Sequence, residues 1–348
     1  MTEPADVSEE LLPFSFTGRA GEYFRIWIVS LCLSLLTLGI YSAWGKVRKR
    51  RYLSAHTRLA GSGLDYHAPP LAILRGRVVA LALFGGIALA GQILPIAQWG
   101  LFALLLVLMP WIVVASARFN ARNSTYRNIA FGFDGRIGEA ARVFLGGGAL
   151  ALLTLGLAYP WYRARRTRFI IAHHRYGVTS FATDLRAGGF VTIYVLAAAM
   201  IGGAFVVLAL GAAAIATIVG DATRDLESSS LGYALVLGLY AWYVAVYAYV
   251  RARTFNLMAN ATIVGALRLR GTLRARRLAW LYLSNVIAVL GTLGIATAWA
   301  TIRVARYRAA SLAVRTHAPL ESYVGDTRTL AGATGSEVGD LFNMDVSL

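Results

Sequence analysis

Three stretches of this chain align with one another without gaps, and any fold must offer each of them the same local environment. Thr37-Leu38-Gly39-Ile40 is followed by Trp44, Arg48, Arg51 and Tyr52. Thr154-Leu155-Gly156-Leu157 is followed by Trp161, Arg165, Arg168 and Phe169, and Thr292-Leu293-Gly294-Ile295 by Trp299, Arg303, Arg306 and Tyr307. Repetition at this level of detail marks a protein built from copies of one supersecondary unit. The copies extend upstream: Phe14-x-Phe16-x-Gly18 and Phe131-x-Phe133-x-Gly135 each lie 19 residues before their Thr, and Leu267-x-Leu269-x-Gly271 lies 21 before its own. Alternation ending in Gly predicts a short strand and a turn. Alternating stretches also follow each copy, at Leu64-Asp65-Tyr66, Thr179-Ser180-Phe181 and Leu320 to Tyr323. One unit therefore reads as strand, apolar run, Trp/Arg/Arg stretch, strand.

The runs between these landmarks place the chain in a membrane. Of its 348 residues 57% are apolar and only 15% charged, against about a quarter charged in soluble domains. Paired apolar runs separate the copies: Val78–Leu94 with Trp99–Ala117, and Phe190–Val219 with Leu231–Val250. Each is long enough for one crossing at about 1.5 Å per residue. The expected fold class is an all-α polytopic membrane protein with short β elements, a threefold internal repeat and seven apolar segments. The expected divisions are an acidic N-terminal tail (1–13), repeat unit 1 with a transmembrane pair (14–118), repeat unit 2 with its pair (119–253), repeat unit 3 (254–328) and an acidic C-terminal tail (329–348).

Charge decides how the runs should sit. Between residues 14 and 315 there are 33 bases and 8 acids, a net of +25. The bases lie between apolar runs, so the expected anionic partner is the lipid headgroup layer and not nucleic acid. If all seven runs crossed, the arginines from Arg163 to Arg186 and from Arg251 to Arg277 would face outward, against the positive-inside rule. If the three repeat runs enter and leave on one side, only the four paired runs cross. All bases except Arg224 are then cytoplasmic, and the acidic loop at Asp221, Asp225 and Glu227 is outside. Four full spans with three re-entrant or interfacial elements is the favoured expectation, and seven spans the alternative.

On a helix starting at Trp44, positions four, seven and eight residues on share one face with the ring. Trp44, Arg48 and Arg51 therefore form a candidate set for an anionic lipid or solute, with Trp161, Arg165, Arg168 and Trp299, Arg303, Arg306 as its copies. Aromatic and guanidinium groups suit the headgroup layer; simple anchoring or packing between units is the competing reading. A linking segment, Arg118-Phe119-Asn120 to Thr125, is partly echoed by Arg253, Phe255-Asn256, Asn260 and Thr262.

No enzyme active site is legible. The histidines (His56, His67, His173, His174, His317) form no ligand motif, the lone Cys32 reads as a small buried apolar residue, and no H-E-x-x-H, G-x-S-x-G or P-loop occurs. No metal or cofactor is expected. The apolar runs hold no Asp or Glu, which argues against a proton antiporter.

The motif itself closely resembles one family. F-x-F-x-G, then T-L-G-I-Y-x-x-W-x-K-V-R-x-R-R-Y, together with the acidic end Gly339-Asp340-Leu341-Phe342-Asn343-Met344-Asp345, resembles the YjgN-like bacterial inner-membrane proteins, a domain of unknown function numbered 898. Ala296 and Thr297 replace Tyr41-Ser42 in the third copy. The resemblance implies a multi-spanning protein of the bacterial inner membrane and carries no biochemical activity. Two functions stay open. One is binding or moving an anionic solute or lipid at the cytoplasmic interface; the other is a non-catalytic scaffold that recruits a protein partner through its acidic tails.

Overall fold

The computed structural model describes residues 10–219 and 230–316. The acidic loop, the strand expected at Leu320 to Tyr323 and most of both acidic tails lie outside the described residues.

The chain begins with β1 (Glu10–Phe16), leaves as α1 (Ala20–Leu36) and returns as α2 (Ser42–His56) into β2 (Thr57–Leu59). The same excursion then recurs. From β3 (Ser62–Tyr66), α3 (Pro70–Ile93) and α4 (Pro95–Arg122) lead to β4 (Ser124–Tyr126). From β5 (Ile129–Phe133), α5 (Ile137–Ala141), a π-helical turn at Arg142–Gly146, α6 (Gly147–Leu153) and α7 (Tyr159–Ala172) lead to β6 (His174–Tyr176). From β7 (Thr179–Thr183), α8 (Ala187–Val219) and α9 (Ser230–Asn260) lead to β8 (Thr262–Val264). From β9 (Leu267–Gly271), α10 (Ala275–Gly291) and α11 (Thr297–Ala310) lead to β10 (Leu312–Thr316).

All ten strands close one antiparallel barrel in the order β1-β10-β9-β8-β7-β6-β5-β4-β3-β2. This overturns the expectation of an all-α protein with seven apolar segments. The strands have only three to seven residues, and all but the first and last enter as tight hairpins between helices, so short local alternations show strands but not the barrel that pairs them along the whole chain. Closure leaves no strand edge unpaired. The inward side chains fill the interior: Leu12, Phe14, Leu59, Leu64, Tyr126, Phe131, Tyr176, Leu267 and Val314 form one apolar cluster.

The span count is corrected as well. Among the described residues three helices are long and apolar enough to cross a membrane: Pro70–Gln92, Gln98–Arg122 and Ala187–Gly211. The three repeat runs are not single helices. Each breaks at its T-L-G and turns back to the barrel. Leu38, Leu155 and Leu293 sit at φ of 50°, 51° and 49°, and Gly39, Gly156 and Gly294 at 92°, 89° and 93°. Two successive left-handed residues reverse the chain. The Thr hydroxyls lock the turn: Thr37, Thr154 and Thr292 Oγ1 accept from the N–H of Tyr41, Ala158 and Ala296 at 2.9, 3.0 and 2.9 Å. The turn leucines are 95–96% exposed, so these tips are apolar and uncovered by protein.

The threefold repeat is three-fifths of a fivefold one. Every unit is strand, helical hairpin, strand; the first, third and fifth carry the T-L-G turn, and the second and fourth carry long helices. The N–H just after each outgoing strand donates to the carbonyl just before its returning partner: Thr17 to His56, His67 to Asn123, Asp134 to His173, Asp184 to Ala261 and Thr272 to Ser311, at 2.8–3.3 Å. Because neighbouring strands are antiparallel, all five helical hairpins leave from one rim of the barrel. The opposite rim holds the tight turns, such as Ala60-Gly61 and Arg127-Asn128, whose paired positive φ angles suit two-residue hairpins. The fifth position on that rim is the β1·β10 pair, where Glu10 lies opposite Thr316.

Candidate functional site

The charge of this chain is sorted by distance from the barrel. Every Lys and Arg among the described residues lies in a strand, in a turn, or within eleven residues of a strand end, which is roughly 16 Å of helix. Beyond that collar the described helices carry no charge. The described acids are Glu10, Glu22, Asp65, Asp134, Glu139 and Asp184, all in the barrel or at its helix-bearing rim. Several are paired there: Asp134 with Arg175 at 3.0 Å, Asp184 with Arg268 at 3.7 Å and Glu139 with His173 at 3.1 Å. The collar is therefore strongly cationic.

The candidate arginines fall into two groups. Arg51, Arg168 and Arg306 each stand six residues before a returning strand, and each donates to a backbone carbonyl at or just after the outgoing strand of the next unit. The acceptors are Tyr66 O at 3.2 Å, Leu185 O at 2.5 Å and Gly18 O at 3.2 Å. Sequence reasoning missed the two other members of this set. Arg118 donates to Gly135 O at 2.9 Å, and Asn256 donates to Leu273 O at 2.8 Å while accepting from Leu273 N at 2.7 Å. The five contacts form a ring that ties each unit to the next and the fifth to the first. The echo between the Arg118 and Asn256 segments was the available signal.

The aromatic that follows acts within its own unit. Tyr52 Oη accepts from Arg19 N at 2.8 Å, and Tyr307 Oη accepts from Arg274 N at 2.9 Å. In the third unit the place is taken by Phe169, whose ring lies against Gly135 with no room for a Cβ.

The remaining motif residues are less committed. Arg48 and Arg165 are exposed, and no hydrogen bond or ion pair joins them to another described residue. Arg303 lies over the Trp299 ring at 4.6 Å and donates to Ser284 Oγ at 2.9 Å and Asn285 Oδ1 at 3.0 Å. Trp44 stacks on Tyr41 at 6.1 Å; Trp161 and Trp299 are exposed. The nine residues share the collar, but they sit at three separate unit interfaces and not in one pocket.

Other features have limited chemistry. Among the described residues no cluster of His, Cys, Asp or Glu could hold a metal ion. Cys32 is exposed on α1, contrary to its expected burial. An apolar cavity of about 520 Å³ opens between α8 and α9, lined by residues including Met200, Gly203, Gly238 and Trp242, with no charged group at its walls.

The collar can be compared with known proteins. The chain is 29% identical over 120 residues to "Inner membrane protein YjgN" of Salmonella typhimurium (strain LT2), covering 34% of this chain and 30% of that protein. It is 28% identical over 127 residues to "Inner membrane protein YjgN" of Escherichia coli (strain K12), covering 35% and 31%. The matched stretch thus spans about a third of each relative's length. No solved structure matches. With three helices among the described residues apolar and long enough to cross, and relatives so named, this is a protein of the bacterial inner membrane. A family model described as "Bacterial protein of unknown function (DUF898)" matches residues 11–341, and the chain belongs to that family.

Proposed function

We propose that the protein is a non-catalytic membrane module that holds an anionic phosphate-bearing group, from lipid or solute, against its basic collar at the cytoplasmic interface. The observation that carries this reading is the segregation of bases: all described Lys and Arg lie in or near the barrel, with few acids among them. Anionic headgroups attract such a surface, and guanidinium groups match phosphate oxygens with a planar fork. Arg48 and Arg165 are the motif groups best placed to do so, being exposed and unengaged. Thermal unfolding of the purified protein in neutral detergent tests the reading. Phosphatidylglycerol should raise the midpoint more than phosphatidylcholine, and Arg48→Gln with Arg165→Gln should shrink the difference. Equal shifts for both lipids in the unaltered protein would sink it.

A scaffold reading has one observation in its favour. The backbone pairing of Glu10 with Thr316 makes the segments before 10 and after 316 start side by side on the rim away from the helices. Those segments hold most of the chain's acids outside the barrel. Deleting 330–348 should abolish partner capture on this reading and leave lipid-dependent stabilisation unchanged on the first.

A further inference from the structure

One place in the collar is short of an anion. Arg163 on α7 and Arg251 on α9 each stand eleven residues before a returning strand, and Tyr194 on α8 stands eleven after an outgoing one, so all three share one level. Both guanidinium groups act electrostatically on Tyr194. The Tyr194 and Tyr159 rings cross edge to face with centroids 5.2 Å apart, which puts their hydroxyls on the same junction. Arg166, close along α7, feels the charge of Arg163 and lies 5.5 Å over the Phe144 ring. No Asp or Glu occurs anywhere on α7, α8 or α9.

Part of that cluster is withdrawn from water, although Arg251 itself is exposed and lies 5.8 Å over the Tyr247 ring. Arg163 Nε is buried and has no hydrogen-bond partner, and neither has Thr254 Oγ1, three residues along α9 from Arg251. These are two of the three such side-chain atoms among the described residues; the third, Arg175 Nε, sits 3.0 Å from Asp134. Buried polar atoms left unmatched cost free energy that a bound anion would recover.

We infer that the junction of α7, α8 and α9 is a binding site for a phosphate oxyanion, with Arg163 and Arg251 as its charged clamps and Tyr194, Tyr159 and Thr254 as hydroxyl partners. The inference rests on the collar reading above and gives it a specific address. The phosphate belongs either to the headgroup of an anionic phospholipid or to free inorganic phosphate. Tyrosine hydroxyls beside guanidinium groups at one depth suit the interfacial layer.

The test uses the full chain in neutral detergent, with unfolding followed as short-chain phosphatidylglycerol, short-chain phosphatidylcholine or inorganic phosphate is titrated. Phosphatidylglycerol should stabilise the protein, and Arg163→Gln and Arg251→Gln should each weaken its apparent affinity about tenfold or more. Without ligand, Arg163→Gln should unfold no earlier than the unaltered protein, because it removes a partly buried guanidinium whose Nε has no partner; a merely structural arginine would give the opposite. Tyr194→Phe should weaken binding while keeping the fold. Stabilisation by inorganic phosphate alone assigns the site to the free ion; stabilisation by the lipid with no competition from phosphate assigns it to the headgroup. If both arginine variants keep the full phosphatidylglycerol shift, or if phosphatidylcholine binds equally well, the site is refuted. Loss in Arg48→Gln with Arg165→Gln but not in Arg163→Gln would refute this site and leave the collar reading intact.

Discussion

The guanidinium of Arg306 donates to the carbonyl of Gly18, 288 residues earlier and 3.2 Å away. It is the closing link of a ring whose other members are Arg51, Arg118, Arg168 and Asn256. A charged donor on a partly buried carbonyl contributes about 1.5–3 kcal/mol, and removing it leaves that carbonyl unmatched. Arg306→Ala should therefore lower unfolding stability by about that much. Asn256→Ala should do the same, since it breaks two bonds to Leu273. Arg48→Ala and Arg165→Ala, which touch no such carbonyl, should stay within about 0.5 kcal/mol. Chemical unfolding in detergent checks all four; equal losses across the set would dissolve the distinction.

The T-L-G turn makes a prediction free of packing. Gly39, Gly156 and Gly294 have φ near 90°, and a Cβ built on any of them meets nothing within 4 Å. Alanine there is penalised only by backbone conformation, about 1–2 kcal/mol. Gly294→Ala should lose that amount. Gly148→Ala on α6, where a Cβ is equally unobstructed but φ is helical, should be neutral or stabilising. A loss at Gly148 as large as at Gly294 would show that side-chain space, not φ, sets the cost.

Membrane location and the T-L-G repeat are legible in the sequence because they are local: a hydropathy run and a motif with fixed spacing. The strands that hold Phe14-x-Phe16 and Thr179-Ser180-Phe181 are legible too, as short alternations. The barrel is not, because pairing such as Glu10 with Thr316 joins residues at opposite ends of the chain and leaves no local trace. The fivefold order is hidden for a different reason. The second and fourth units have helices up to 33 residues long where the others have 17 or fewer, so gapless alignment cannot find them. The arginines of the motif are visible, but the sequence cannot separate those bound to a carbonyl, such as Arg168, from those that are free, such as Arg165. That depends on which neighbour faces them. The Arg163 cluster has no motif at all; helices from two units assemble it.

Two barrel residues predict opposite pH limits. His174 on β6 lies against Phe133 with its Nδ1 2.6 Å from Ile170 O, and burial lowers its pKa. The folded state then resists protonation that the unfolded state accepts, so stability should fall as pH drops through about 6.5. Tyr176 Oη donates to Tyr126 O at 3.0 Å, and burial pushes its pKa up to about 12. Here the unfolded state loses its proton first, so stability should fall as pH rises from about 10 toward 12. His174→Gln should flatten the acid limb and Tyr176→Phe the alkaline limb. A pH profile unchanged by both would contradict the assignment.

On the proposed reading, the collar predicts which way the barrel faces. Bases collect on the cytoplasmic side of inner-membrane proteins, and here they surround the barrel. The α3 helix has 24 residues, roughly 36 Å, which exceeds a hydrocarbon core of about 30 Å, so its far end at Leu94 should reach the opposite side. Single cysteines in a Cys32→Ser background report on this directly. Val178, in the β6–β7 turn, is 62% exposed, and Ile96, at the start of α4, is 78% exposed, so both are open to a reagent. With an impermeant thiol label on intact cells, Ile96→Cys should react and Val178→Cys should react only after lysis. The reverse pattern would put the barrel and its arginines outside the cytoplasm. An interfacial phosphate site would then face the periplasm, and the proposed cytoplasmic role would fall with it.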